Sequence, residues 1–430
     1  MSAGRPVIGQ RASPQLTQEI DEHAAGVAAV VLAGGRGSRL GALTKRICKP
    51  ALPFGGGLRC IDFTLSNCAN SGIRHVGVVV QHRPDTLLSH VDRVWGDTGV
   101  EAWSPAKSER PYTGTIDAVL RNLDRTSRST TDQILVLAGD HVYKMDYRPM
   151  LALHRARGAD VSIASIEVAA SECHHFGVVR TASDDRVTDF VEKPLYPHRL
   201  VSSTSGRVLA SMGVYVFERR FLAALLRNAA QATSSDGDIG RDLLPAAVAS
   251  AQVYAHRFGG HGDAPGGPYW RDIGTPTAYW RANMDSLGPA PTVRLDDPCW
   301  PLRTDSGLGT IQRPADARPR SDRDLLIPLG SAVTGASIRR SVLFRGVAIG
   351  SGTLIVDSVV LPGARVGRGC RLRGVVIAFD ASVADGEEID AFTAVSDGAA
   401  FSPVIVDEDA PRPARARGRE VAPNSAVQIQ

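Results

Sequence analysis

Three glycines and two arginines follow an unbroken apolar run in AVVLAGGRGSRL, which starts at Ala29 and holds Gly34, Gly35, Arg36, Gly37 and Arg39. Amides of closely spaced glycines can converge on phosphate oxygens while guanidinium groups add charge, so the stretch has the makings of a polyphosphate cradle. It is neither a dinucleotide fingerprint, since Leu40 stands where the third glycine is needed, nor a P-loop, since no Gly-Lys-Ser/Thr follows. A glycine turn at a strand end with solvated arginines would read the same way locally. Asp140, in VLAGDHVYKMD, stands just past another apolar run. A carboxylate there can hold Mg²⁺ against nucleotide phosphates, or more plainly cap a helix. Asp272, in YWRDIGT, is a second acid, and two such carboxylates could clamp one metal. Lys193, fixed by Pro194, could grip a sugar phosphate or be a surface lysine. YTGTID from Tyr112 offers a tyrosine and an exposed Gly-Thr at a helix start, suited to packing a base or donating to phosphate.

Elements must position these groups. Val27, Val30, Val31 and Leu32 show no polar alternation, which predicts a strand covered on both faces of a parallel sheet. Strands are predicted at 75–80, 134–138 and 187–191, and helices at 62–71, 84–94, 114–123 and 146–157. Strands separated by helical crossovers imply an α/β fold with a mostly parallel sheet, where ligands bind beyond the carboxyl ends of the strands. The glycine loop and Asp140 both fall there. Residues 1–26 read as a loosely packed extension, 27–290 as the α/β domain, and 291–323, rich in Pro, Gly, Asp and Arg, as a linker. Over 324–408 the apolar residues repeat: Val342, Val359 and Val376, then Ile349, Val366 and Val383, all at steps of seventeen. Apolar residues recurring about every six positions within each copy predict a left-handed parallel β-helix of hexapeptide type. Residues 409–430 read as a flexible basic tail.

At 430 residues and 43% hydrophobic content the chain can bury two cores. A formal charge of +4 with scattered arginines gives little support for nucleic acid binding. No apolar run has the length of a membrane span, and the first residues lack the apolar centre of a signal peptide, so no membrane partner and a cytoplasmic location are expected. Cys48, Cys60, Cys68, Cys173, Cys299 and Cys370 form no CxxC pair and read as reduced structural thiols.

GGRGSR with Lys49-Pro50 downstream resembles the sugar-nucleotide pyrophosphorylases, and FGGGLRCIDFTLSN from Phe54 is similar in particular to the bacterial glucose-1-phosphate adenylyltransferases. YTGTIDAV, LAGDHVYKMDY, FGVV, FVEKP, LASMGVYVF, RDLLP, YWRDIGT, CWPLRT and the repeats extend the likeness from Val27 to about Val406. The resemblance implies transfer of AMP from ATP to glucose 1-phosphate for α-glucan synthesis, with Mg²⁺. Leu32, Ala33, Gly34, Gly35, Gln81, Tyr112, Gly114 and Thr115 would contact the nucleotide, with Arg39 and Lys49 on its phosphates. Asp140 and Asp272 would hold the metal. Gly177, Glu192, Lys193, Ser211, Tyr215, Asp238 and Trp270 would surround the sugar phosphate. It further implies a homotetramer, or a hetero-oligomer, that feels effectors between its domains. Thr113, Ile116 and Ile239 depart from the family pattern beside the pocket. Pro53 and Gly57 depart from it near the regulatory site, where Arg46 and Arg59 keep charge. These departures keep two alternatives in view: a weakly catalytic regulatory subunit, and a same-fold enzyme for another nucleotide or sugar 1-phosphate.

Overall fold

In the computed structural model the apolar run becomes strand β1 (Ala28–Leu32), the middle of a nine-stranded sheet. The structure describes residues 21–305 and 331–408, except 107, 129–131, 196–205, 232–236, 261, 265, 334 and 394–400, together with the backbone of Leu325–Leu326 and Val427–Gln428. β2 (His75–Val79), β3 (Val100–Trp103) and β4 (Gln133–Ala138) complete the parallel half: β1 lies between β2 and β4, and β3 adds outside β2. Every β1 residue but Leu32 is buried, as a strand covered on both faces requires. Beyond β4 the sheet continues through β9 (Arg207–Glu218), which runs antiparallel to β4 and to its other partners β6 (Val161–Ala169) and β7 (Gly177–Thr181). β8 (Val187–Glu192) pairs antiparallel with β7, and β10 (Val253–Arg257) parallel with β6. The antiparallel half was only partly legible in the sequence, because β6, β7 and β8 follow one another with no α-helix between them.

Helices α1 (Cys60–Asn70), α2 (Asp85–Trp95), α3 (Thr115–Asn122), α4 (Arg148–Ala156), α5 (Arg219–Gln231) and α6 (Leu244–Ser250) accompany this sheet, and α7 (Pro276–Asp285) packs against the C-terminal repeats. The first four lie within a few residues of their predicted spans. A two-stranded ladder stands outside the sheet: β5 (His141–Tyr143) pairs antiparallel with β11 (Trp270–Asp272). The last turn of the N-terminal extension, residues 21–26, is helical and docked. Ala24 is buried, His23 meets Gln133 at 2.7 Å, and Asp21 pairs with Arg148 at 2.6 Å.

The seventeen-residue step appears directly as strand register, with Val342 beside Val359 and Val359 beside Val376, then Ile349 beside Val366 and Val366 beside Val383. Three parallel sheets result, one per face of a left-handed hexapeptide β-helix. Within the predicted linker, 306–323 lies outside the described residues, but 291–305 is strapped to the α/β domain. Val293, Leu295, Trp300 and Leu302 are buried, and the Trp300 indole donates to Asn67 Oδ1 at 2.9 Å. Of the predicted tail only Val427–Gln428 is described, and it pairs antiparallel with Ser337 and Ile338. All six cysteines are free thiols, five of them buried. No helix among the described residues is long and apolar enough to cross a membrane.

Candidate active site

The two acids are brought together by the β5–β11 ladder. Asp272 is the register partner of His141, so it stands one residue across from Asp140 although 132 positions separate them. Lys49 begins a single 3₁₀ turn, Lys49–Ala51, and points its buried ammonium between them, 2.9 Å from Asp140 Oδ2 and 2.5 Å from Asp272 Oδ1. Burial works against a charged lysine, yet the Asp140 and Asp272 carboxylates outweigh it and hold the ammonium above its ordinary value. Burial opposes the charge of Asp140 as well, and Lys49, then His141, hold that carboxyl below the usual range. Arg39, half exposed, reaches to 3.8 Å from Asp272 Oδ2.

A cleft of about 420 Å³ opens beyond the carboxyl ends of β1 and β4. Leu32, Gly34 and Gly35 line one side, and Tyr112, Gly114 and Thr115 another. The Gln81 amide is spent on the Tyr112 backbone: its Nε2 donates to Tyr112 O at 3.1 Å and its Oε1 accepts from Tyr112 N. Thr115 Oγ1 accepts from Ile239 N at 2.8 Å, and Ile116 N donates to Gly237 O at 2.8 Å. The start of α3 and the 237–240 loop therefore form one wall, in which the unusual Ile116 and Ile239 are both buried.

The far end carries Glu192, Lys193, Tyr215 and Asp238. Lys193 has a left-handed backbone (φ 45°), leaves β8 through a bond from its N–H to Phe176 O, and pairs with Glu192 at 2.8 Å. A non-glycine residue held at positive φ stores strain, a feature that clusters at binding sites. Ser211 Oγ and Tyr215 OH meet at 3.1 Å across a break in the β9–β6 register, and burial pushes the Tyr215 hydroxyl up. Asp238 Oδ1 caps the following turn by accepting from Arg241 N.

Several predicted contacts fall elsewhere. Ala33 is fully buried, and Ser211 reaches the cleft only through Tyr215. Gly177 does not line the floor: it sits behind Glu192, where a Cβ would come within 2.4 Å of Phe190 and 2.8 Å of the Glu192 carboxylate. Trp270 turns away from the main cleft, packs edge-on against His141 and Phe176, and faces an adjoining hollow with Arg39 and Asp272. Arg46 lies at the domain junction, 2.7 Å from Asp380 and 3.6 Å from Glu408, while Arg59 donates to Thr86 O at 3.0 Å. The sequence reasoning missed His141, Gly213 and Gly240. A glycine inside a strand pattern, as in LASMGVYVF, signals a bulge or a close approach, and Gly213 sits at φ 70° where a Cβ would meet Ala138 at 2.9 Å. His141 carried only its adjacency to Asp140.

One end of this cleft can neutralise phosphates and the other can hold a polyhydroxyl anion, which is the division of labour of an enzyme that moves nucleotidyl groups. The family described as "Nucleotidyl transferase" matches residues 28–288, and a "GlmU-like, C-terminal hexapeptide" family matches 311–405. A Methylobacillus flagellatus protein named "Glucose-1-phosphate adenylyltransferase" is 44% identical over 84% of this chain and 87% of its own length. Proteins of the same name from Nitrosospira multiformis and Rhodospirillum rubrum are 42% and 41% identical over 84% and 83% of this chain, and 88% of each relative. The chain belongs to the glucose-1-phosphate adenylyltransferase family.

Enzymes of this class generally use a divalent metal ion, and the residues here fit one. Oxygens of Asp140 and Asp272 and a nitrogen of His141 lie within 4.8 Å of one another, and the Lys49 ammonium already stands as a cation between the acids. Met212 O accepts from His141 Nδ1 at 3.1 Å, which in the neutral ring leaves a lone pair on Nε2, 3.6 Å from Asp140 Oδ1.

Proposed function

We propose that the protein transfers AMP from ATP to glucose 1-phosphate, releasing pyrophosphate and forming ADP-glucose for α-glucan synthesis. The observation that carries this reading is the meeting of Lys49 and Asp272 with Asp140, which lines the glycine-loop cleft together with Glu192 and Lys193. Glucose 1-phosphate is ionised at neutral pH, so its oxygen can attack the α-phosphorus without a general base. The new phosphate–oxygen bond forms as the α–β phosphoanhydride breaks, and the electron pair leaves with pyrophosphate. The burden on the chain is positioning and charge neutralisation. Lys193 orients the sugar phosphate and Glu192 and Asp238 accept from its hydroxyls. Gly34 and Gly35 amides cradle the triphosphate, and Arg39 and Lys49 stabilise the departing pyrophosphate. The Gln81–Tyr112 clamp shapes the base end. Held by Asp140 and Asp272, Mg²⁺ would neutralise charge around the α-phosphate. Gly177 acts as a positioning residue through Glu192, and Trp270 through His141.

Likeness to the family supports three further parts of this reading: a homotetramer, a cytoplasmic location, and effector control at the domain junction near Arg46 and Arg59. Purified protein supplied with ATP, Mg²⁺ and glucose 1-phosphate should release pyrophosphate at a kcat/KM at least about a hundredfold above that with UTP, dTTP or glucosamine 1-phosphate. Comparable rates with one of those would replace the substrate assignment, and no turnover with any would favour the regulatory-subunit reading.

A further inference from the structure

We infer that Lys49 is the resident counter-ion of the acid pair in the free enzyme, and that a divalent cation enters only by displacing its ammonium. The inference rests on Asp140 and Asp272 being the metal pair. The geometry leaves little alternative: Nζ lies 2.9 Å and 2.5 Å from one oxygen of each carboxylate, which is the place an ion bridging the two acids would take. The Lys49 side chain is only 7% exposed, so the ammonium has no easy retreat to solvent while it stays paired. An ammonium and a divalent cation cannot share this space, because the repulsion of three positive charges a few ångströms apart in a half-buried site is large. Arg39 provides an internal contrast. It also bears a positive charge near Asp272, but at 3.8 Å and 52% exposed, at the edge of the pair instead of within it.

The consequence is order in loading. Without nucleotide one of the pair's two negative charges is already offset by the ammonium that fills the space between them, and free metal binds weakly. A triphosphate tail arriving at the glycine loop offers the displaced ammonium a new anion within the same cleft, so metal and nucleotide are taken up together. Lys49 is thereby a switch between two partners as well as a charge on the phosphates.

Manganese binding to the full-length enzyme, measured without nucleotide from the loss of the free-ion paramagnetic resonance signal, tests this independently of turnover. Lys49→Met, with Lys49→Gln as a second variant should the first fold poorly, is expected to bind Mn²⁺ at least about tenfold more tightly than the unaltered chain. Arg39→Met is expected to change the affinity by less than about threefold. Unchanged or weaker Mn²⁺ binding in both folded Lys49 variants would overturn the displacement, as would an equal gain in Arg39→Met. The underlying metal assignment fails separately: adding Asp140→Asn to Lys49→Met must abolish the gain, and a gain that survives would mean the ion binds elsewhere.

Discussion

Asp140 and Lys193 both line the cleft, and substitution should separate the roles proposed for them. Asp140→Asn keeps the shape but removes one of the two charges facing Lys49, so turnover should fall by about a thousandfold or more, with the chain still folded. Near-normal kcat would remove Asp140 from the chemistry. Lys193→Ala should raise KM for glucose 1-phosphate by about tenfold to a hundredfold while ATP affinity stays near that of the unaltered chain, since the lysine stands at the far end with Glu192. An unchanged sugar-phosphate KM would return Lys193 to the surface-lysine reading. Asp140 was legible in the sequence because a carboxylate just past a buried strand is a local signature. The aim of Trp270 and the contribution of His141 were not, since both depend on a ladder of three-residue strands too short to leave a pattern.

Gly213 interrupts β9 where the chain must bend, between Ser211 and Tyr215. Gly213→Ala meets both a left-handed backbone and a contact 2.9 Å from Ala138, so it should cost about 1–3 kcal/mol in denaturant unfolding and raise KM for the sugar phosphate. A variant as stable and active as the parent would show that the bend is not required. A titratable side chain is enclosed where α4 meets the sheet. His154 is buried, with Nδ1 2.9 Å from Ser162 Oγ and Nε2 3.3 Å from Glu218. Burial, and then the charge of His23, hold its pKa at about 4 against an ordinary 6.5. The unfolded chain therefore takes up this proton first, so stability falls as pH drops from 6.5 towards 4 and this group costs nothing further below that. Between pH 6.5 and 5 the loss should be about 2 kcal/mol larger in the unaltered chain than in His154→Asn, measured by urea unfolding. Parallel pH profiles would contradict it.

The β-helix is joined to the catalytic domain at the very elements that carry the site. α7 follows Asp272 directly, and its Trp280 donates to Asp357 O at 2.7 Å and packs 4.6 Å from Phe401. Lys45 pairs with Asp407 and Arg46 with Asp380 a few residues after Arg39. Trp280→Ala should cost about 3–5 kcal/mol and split thermal unfolding into two calorimetric transitions. A single transition at the original temperature would mean the domains are held together elsewhere.

The glycine loop and the coiled repeat were readable in the chain alone because each is written in neighbouring residues, as an apolar strand meeting glycines or as a covalent step of seventeen. The strap at 291–305 was not, since four buried anchors lie scattered among prolines, aspartates and arginines that read as linker. Only the tertiary structure decided that Lys49, Asp140 and Asp272 share one point. Their distance in sequence is closed by a strand pairing whose free energy comes from the packing around it, and no local pattern encodes such a pairing.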